Sequence, residues 1–116
     1  MNELNTPEEL LARCVALAED KKGRDIVSLK MSGLTLVCDY FLLVTAANTR
    51  QAQSISDNIE MGLKEDGLQP LRIEGYRDSR WILIDLGSVV VHIFLAEERE
   101  FYDLEHLWGE AERRQY

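Results

Sequence analysis

His92 and Asp85 are the pair in this 116-residue chain most like a general base with its orienting acid. Acyl transfer would add a serine or cysteine nucleophile, and no recognisable motif sets one beside them. The structural alternative is a hydrogen-bonded histidine within a sheet, which is how His92 reads. Asp103-Leu104-Glu105 and Glu110-Ala111-Glu112 offer carboxylates two residues apart. On a strand that spacing can hold Mg²⁺ for nucleotidyl transfer. Both pairs lie in a stretch read as helical, where residues two apart point in different directions. Cys14, Cys38 and His106 complete no metal-ligand spacing. Lys21-Lys22-Gly23-Arg24 is basic enough for a phosphate, yet cations beside a helix-ending glycine ordinarily complement the helix dipole. No catalytic residue, metal site or cofactor is therefore expected.

Composition narrows the class of partner. Thirteen Lys and Arg against 21 Asp and Glu give a net charge of −8. Neutralising a nucleic-acid backbone needs a cationic footprint, so direct high-affinity binding to RNA or DNA is disfavoured and a basic protein surface is the better match. A hydrophobic content of 46% with 29% charged residues is that of a globular chain. The length predicts a single domain over 1–116. Apolar runs such as 89–91 and 93–96 are far too short to cross a bilayer, and Met1-Asn2-Glu3-Leu4-Asn5-Thr6-Pro7 lacks the regions of a secretory signal. Cys14 and Cys38 read as free, buried thiols of a reducing compartment, and the expected location is cytoplasmic.

The elements that must position these residues are well punctuated. Thr6-Pro7-Glu8-Glu9 predicts a helix start with a capping box, Lys21-Lys22-Gly23 its end, and Leu10, Leu11, Cys14, Leu17 and Ala18 its buried face. Asp25–Met31 reads as a strand, Ser32-Gly33 as a turn, and Tyr40–Thr45 as a central strand buried on both faces. Asn48 is the expected cap of a second helix, with Gln51 reaching back to it. Ala52, Ile55, Ile59 and Leu63 form its apolar stripe, Gly62 permits close packing, and Gly67 stops it. Pro70–Gly75 is a short strand followed by a polar turn over Tyr76–Arg80.

Residues 81–108 hold the most information, a strongly apolar hairpin running into an acidic, aromatic helix. Gly87-Ser88 fits a type II′ turn, which pairs Trp81 with Phe94, Leu83 with His92 and Asp85 with Val90. One hairpin face is then wholly apolar; the other carries Trp81, Asp85 and His92. In the helix that follows, Phe101, Leu104 and Trp108 share the predicted buried side, while Glu98, Tyr102, Glu105 and His106 fall opposite. Trp81 follows the polar loop Arg77-Asp78-Ser79-Arg80, and rings and arginines grouped in this way dominate binding interfaces. Helix, strand, strand, helix, hairpin and helix together predict an α/β fold, a mixed β-sheet packed with helices, as in nucleotidyltransferases but without their catalytic residues.

At these residues the chain resembles the ribosomal silencing factor, or Iojap-like, family. The matching pieces are Asp39-Tyr40-Phe41, Asn48-Thr49-Arg50-Gln51, Glu74-Gly75, Trp81 through Asp85, Val90-Val91-His92-Ile93-Phe94, and Arg99 through Trp108. They span about residues 5–110 in the family's order. The resemblance implies a non-catalytic nucleotidyltransferase-like fold that binds the large ribosomal subunit through ribosomal protein fourteen, a basic protein at the intersubunit face. It implies that the small subunit is thereby kept from joining, lowering protein synthesis when nutrients are short. The partner surface it implies is the sheet edge and the helix after the hairpin: Trp81, His92, Arg99, Tyr102 and Glu105, to which the acidic helix face adds Glu98. A nucleotidyltransferase-like enzyme and an oligomerising adaptor are the alternatives, and an exposed sheet edge beside an aromatic patch makes a homodimer an expectation.

Overall fold

The Thr6 hydroxyl accepts the Glu9 N–H at 3.1 Å and opens α1 (Pro7–Asp20), whose apolar face is buried as the spacing requires. The computed structural model describes residues 5–116; the first four residues of the N-terminal segment lie outside it. Lys22, at φ 63°, takes the left-handed position after α1. Gly23 serves a different need: a Cβ there would press on the Val44 side chain and the Ala18 carbonyl.

The strands are β1 (Arg24–Lys30), β2 (Tyr40–Ala46), β3 (Arg72–Glu74), β4 (Trp81–Asp85), β5 (Val89–Leu95) and β6 (Glu112–Gln115). They form one mixed sheet ordered β3-β4-β5-β2-β1-β6, in which β2 and β5 run parallel and the other neighbours antiparallel. β2 is interior, as its apolar run predicts. β1 ends one residue before the expected Met31, whose N–H turns to the Asp39 carbonyl at 2.7 Å. The hairpin register is the one the Gly87-Ser88 turn predicts, with Trp81 opposite Phe94, Leu83 opposite His92 and Asp85 opposite Val90. β6 is an element that periodicity did not reveal, because all its side chains are exposed.

Helix α2 (Thr49–Glu65) is capped by Asn48, which accepts the Gln51 N–H at 2.8 Å. The Gln51 side chain departs from a reciprocal cap. It accepts the Ala47 N–H at 2.6 Å and donates to the Lys21 and Lys22 carbonyls at 3.1 Å, tying the start of α2 to the end of α1. Gly62 has no Cβ where the Leu17 side chain lies, so α1 and α2 close on one another and cover one sheet face. That face is hydrocarbon: Leu42, Val44, Val91, Ile93, Ile82 and Ile84 lie beneath Ile55, Ile59 and Leu63.

The other face is covered by α3 (Ala96–Tyr102) and α4 (Leu104–Leu107). The continuous helix expected from periodicity does not form. Asp103 enters the left-handed region at φ 46°, ends α3, and caps α4 by accepting the His106 N–H at 3.3 Å. Leu104 and Trp108 still pack on the sheet, but Phe101, expected beside them, is 79% exposed because the break resets the helical phase. Glu110 follows α4 and Glu112 starts β6, so the expectation of a helix there also fails. Among the described residues no helix is long and apolar enough to cross a membrane.

Candidate functional site: an aromatic sheet face with an acidic rim

The half-covered sheet face collects most of the large rings of the chain. Phe41, His92, Phe94 and Trp81 project from β2, β5 and β4, and the two short helices add Trp108, Tyr102 and Phe101. Phe41 meets Trp108 at a centroid distance of 6.3 Å and His92 at 4.6 Å, both edge to face. Trp81 stacks on Phe94 at 5.0 Å and lies under Tyr102 at 4.5 Å, and Tyr102 abuts Phe101 at 5.0 Å. The run is continuous from Trp108 to Phe101. Phe41, Trp81, Leu83 and Trp108 are half-buried, while Phe101, Tyr102 and Leu107 are exposed.

The backbone ahead of Trp81 is closely constrained. Gly75, at φ 79°, passes so near the Trp81 carbonyl that any Cβ would strike it. Ser79 returns its N–H to the Gly75 carbonyl at 2.8 Å, and Arg80 pairs with Glu98 of α3. Loop, strand and helix therefore meet at Trp81. Its indole N–H donates to His92 Nδ1 at 3.1 Å.

Several predicted site residues face inward. His92 is 4% exposed, and burial lowers its pKa from 6.5 to about 4, so it is neutral at physiological pH. Asp85 gives it no orienting contact; its carboxylate accepts the Gly87 N–H at 2.9 Å and pairs with Arg72 at 3.4 Å. The acid–base pair suggested by His92 and Asp85 is absent: the two sit two rungs apart on the ladder, and the Asp85 carboxylate is taken up by Gly87 and Arg72. Arg99, its side chain 11% exposed, donates to Thr45 Oγ1 at 2.8 Å, to the Asp25 carbonyl, and through two nitrogens to Glu105 at 3.2 Å each. Glu105 also accepts from Arg113 at 2.8 Å. Glu98 and Glu105, expected to point outward, turn inward to arginines instead. A helical wheel cannot show this, since Arg80 comes from the loop before β4, Arg113 from β6, and Arg99 reaches Glu105 across the break at Asp103.

Trp81 and Tyr102 are the predicted residues that the fold brings together at the surface. The acidic rim is supplied by residues not predicted as partner contacts: Glu97, Glu100, Asp103 and Glu110 are exposed along the two short helices and just after them. Asp103 followed by Glu105 in the next turn is an N-cap signal, and reading it would have broken the helix and exposed Phe101. The chemistry of the face is that of contact. Asp103 caps a helix while Glu105 holds two arginines, so the two carboxylates do not converge on one point. Burial pushes the Cys14 thiol up to about 12 and contributes most to raising Cys38 to about 11, leaving both protonated and poor nucleophiles.

The model of the family described as ribosomal silencing factor during starvation matches residues 4–116. The chain belongs to this family. It is 43% identical over 104 residues to the ribosomal silencing factor RsfS of Halalkalibacterium halodurans, covering 90% of this chain and 89% of that one. A crystal structure of a protein from Chromobacterium violaceum superposes with a TM-score of 0.87 at 35% identity, covering 90% of this chain and 87% of that one. A mouse relative named for mitochondrial assembly of the ribosomal large subunit is 30% identical over 97 residues, which are 81% of this chain and 42% of that protein. The solved Chromobacterium violaceum protein shares this α/β fold, whose mixed sheet carries the aromatic face in the present chain.

Proposed function

We propose that this chain represses translation by docking its aromatic, acid-rimmed face on the large ribosomal subunit. The ligand is a basic ribosomal protein at the intersubunit face, ribosomal protein fourteen, and its occupation keeps the small subunit from joining. The run of rings from Trp108 to Phe101 carries this reading. Large rings that are only half covered, surrounded by carboxylates, suit a partner whose cationic side chains have aliphatic stems. Family membership supplies the ribosome and the context of starvation. The mouse relative's name supports the large subunit as the target.

Within this function Trp81 and Tyr102 are the anchors. His92, Glu98, Arg99 and Glu105 serve the contact from beneath, by holding the anchors and the two short helices in place. No catalysis, cofactor or direct nucleic-acid contact is part of the function, which is exercised in the cytoplasm by a single domain. A second copy on the same face would compete with the ribosome.

Order of addition tests the proposal. Protein added to isolated large subunits before small subunits should lower the light-scattering signal of subunit joining, and protein added to preformed couples should lower it much less. Unchanged joining at several-fold excess over ribosomes would refute the silencing role.

A further inference from the structure

His92 occupies the centre of the aromatic face yet gives almost nothing to solvent. Its Nδ1 accepts the Trp81 indole N–H, so the neutral ring carries its proton on Nε2. That Nε2–H is buried and has no acceptor among the described residues. A buried donor without a partner costs stability, and an apolar side chain would fill the same place between Phe41 and Phe94 at no such cost. The fold alone gives no reason for an imidazole here. What the imidazole adds is an acceptor for Trp81.

Phe94 stacks on the indole and Tyr102 leans against it at 45°, contacts that leave the half-buried ring part of its surface in solvent and restrain where it lies but not which edge turns inward. The hydrogen bond to His92 selects the edge. With its only donor used internally, the indole meets a partner as a π-surface with no polar group left to satisfy. Such a surface suits the stem or head of a lysine or arginine. We infer that His92 is a positioning residue for docking, which fixes the Trp81 ring nitrogen-inward and so selects a cationic or aliphatic side chain on the partner. This inference rests on the aromatic face being the ribosome-docking surface.

The test uses the full chain with purified large ribosomal subunits. His92→Phe removes the acceptor, His92→Leu does so in a smaller volume, and His92→Gln supplies a replacement. In ¹⁵N spectra the Trp81 indole resonance should move in the first two variants and return part-way in the third, with the Trp108 indole as internal reference. Affinity for large subunits should fall about tenfold with either apolar variant, the scale of one hydrogen bond's ordering effect, and recover partly with Gln. In a Trp81→Phe background, which has no indole donor, the same His92 changes should have no further effect on binding. An unmoved Trp81 resonance, or an equal affinity loss in both backgrounds, would overturn the positioning role. Normal binding by both Trp81→Ala and Tyr102→Ala would instead overturn the docking surface itself, and would do so without any His92 variant.

Discussion

The two faces of the sheet are built from the same strands to opposite specifications. Under α1 and α2, the strands β2, β4 and β5 contribute aliphatic side chains, and Ile55, Ile59, Leu63, Ile82, Ile84, Val91 and Ile93 are wholly buried. Under α3 and α4, the same strands present Phe41, Trp81, His92 and Phe94, with a neutral imidazole at the centre and a network of arginines and carboxylates at the margin. Long helices seal the first face. Two short ones, interrupted at Asp103, cannot seal the second. The contrast separates stability from recognition: one face is filled with hydrocarbon at high packing density, and the other keeps rings partly in water for a second molecule to cover.

The largest expected effect breaks the sealed face. Ile59→Ala should cost about 3 kcal/mol of unfolding free energy, within the range for emptying a fully buried aliphatic site. Binding per folded molecule should be unchanged. Denaturant melts give the first quantity and titration against large subunits the second; a binding defect at full folding would erase the division between the faces.

A comparable effect on the aromatic face should be seen only in acid. Unfolded, the His92 imidazole takes its proton near pH 6.5; folded, it resists until about pH 4, because burial disfavours the charged form and the rings around it supply no counter-charge. The stability this group contributes is present above pH 6.5 and is lost as the pH falls through about 4. The full difference amounts to about 3 kcal/mol. Measured against His92→Phe, the wild type should lose that much more stability between pH 7 and pH 4. Parallel pH profiles for the two proteins would contradict a neutral, buried imidazole.

Tyr102→Ala sharpens the comparison from the surface. The ring is 47% exposed and lies against the rings of Trp81 and Phe101. Its loss should cost about 2 kcal/mol of ribosome binding, the size expected for an anchor. The melting temperature should stay nearly constant. Loss of folding, or undiminished binding, would move the anchor elsewhere.

What could be read ahead of the structure follows the same division. The sealed face was legible residue by residue, because Leu10, Leu11, Cys14, Leu17 and Ala18, and then Ala52, Ile55, Ile59 and Leu63, keep a helical period that burial enforces. Gly87 fixed the hairpin register, so Trp81, Phe94 and His92 were correctly assigned to one face. The aromatic face was legible as a composition but not as a geometry. Its helix breaks at one left-handed aspartate, which periodicity smooths over, and Phe101 was misplaced as a result. Glu98, Arg99 and Glu105 are held by Arg80, Thr45, the Asp25 carbonyl and Arg113, contacts that depend on which distant segments come together. β6 pairs with β1 through the backbone while exposing every side chain, and so left no periodic trace.

The smallest expected effect concerns charge, and it depends on choosing the right carboxylates. Reversing Glu98 or Glu105 would set a lysine against Arg80, or against Arg99 and Arg113, so any loss of binding would be confounded with loss of structure. Glu97 and Glu100 are the proper targets: both are exposed, the Glu97 side chain 86% so, and the nearest ion pair of Glu97 is a loose 3.9 Å contact with Arg80. Exposed charges of this kind contribute little to folding, and stability should change by no more than about 0.5 kcal/mol. Against a basic partner they act mainly by steering encounter, so Glu97→Lys with Glu100→Lys should slow association several-fold at low ionic strength. Dissociation should be little changed, and the difference should shrink in high salt as screening shortens the reach of the rim. Stopped-flow association with large subunits at two salt concentrations measures this directly. Equal association rates for the variant and the wild type at low salt would leave the rings to account for partner recognition without the rim.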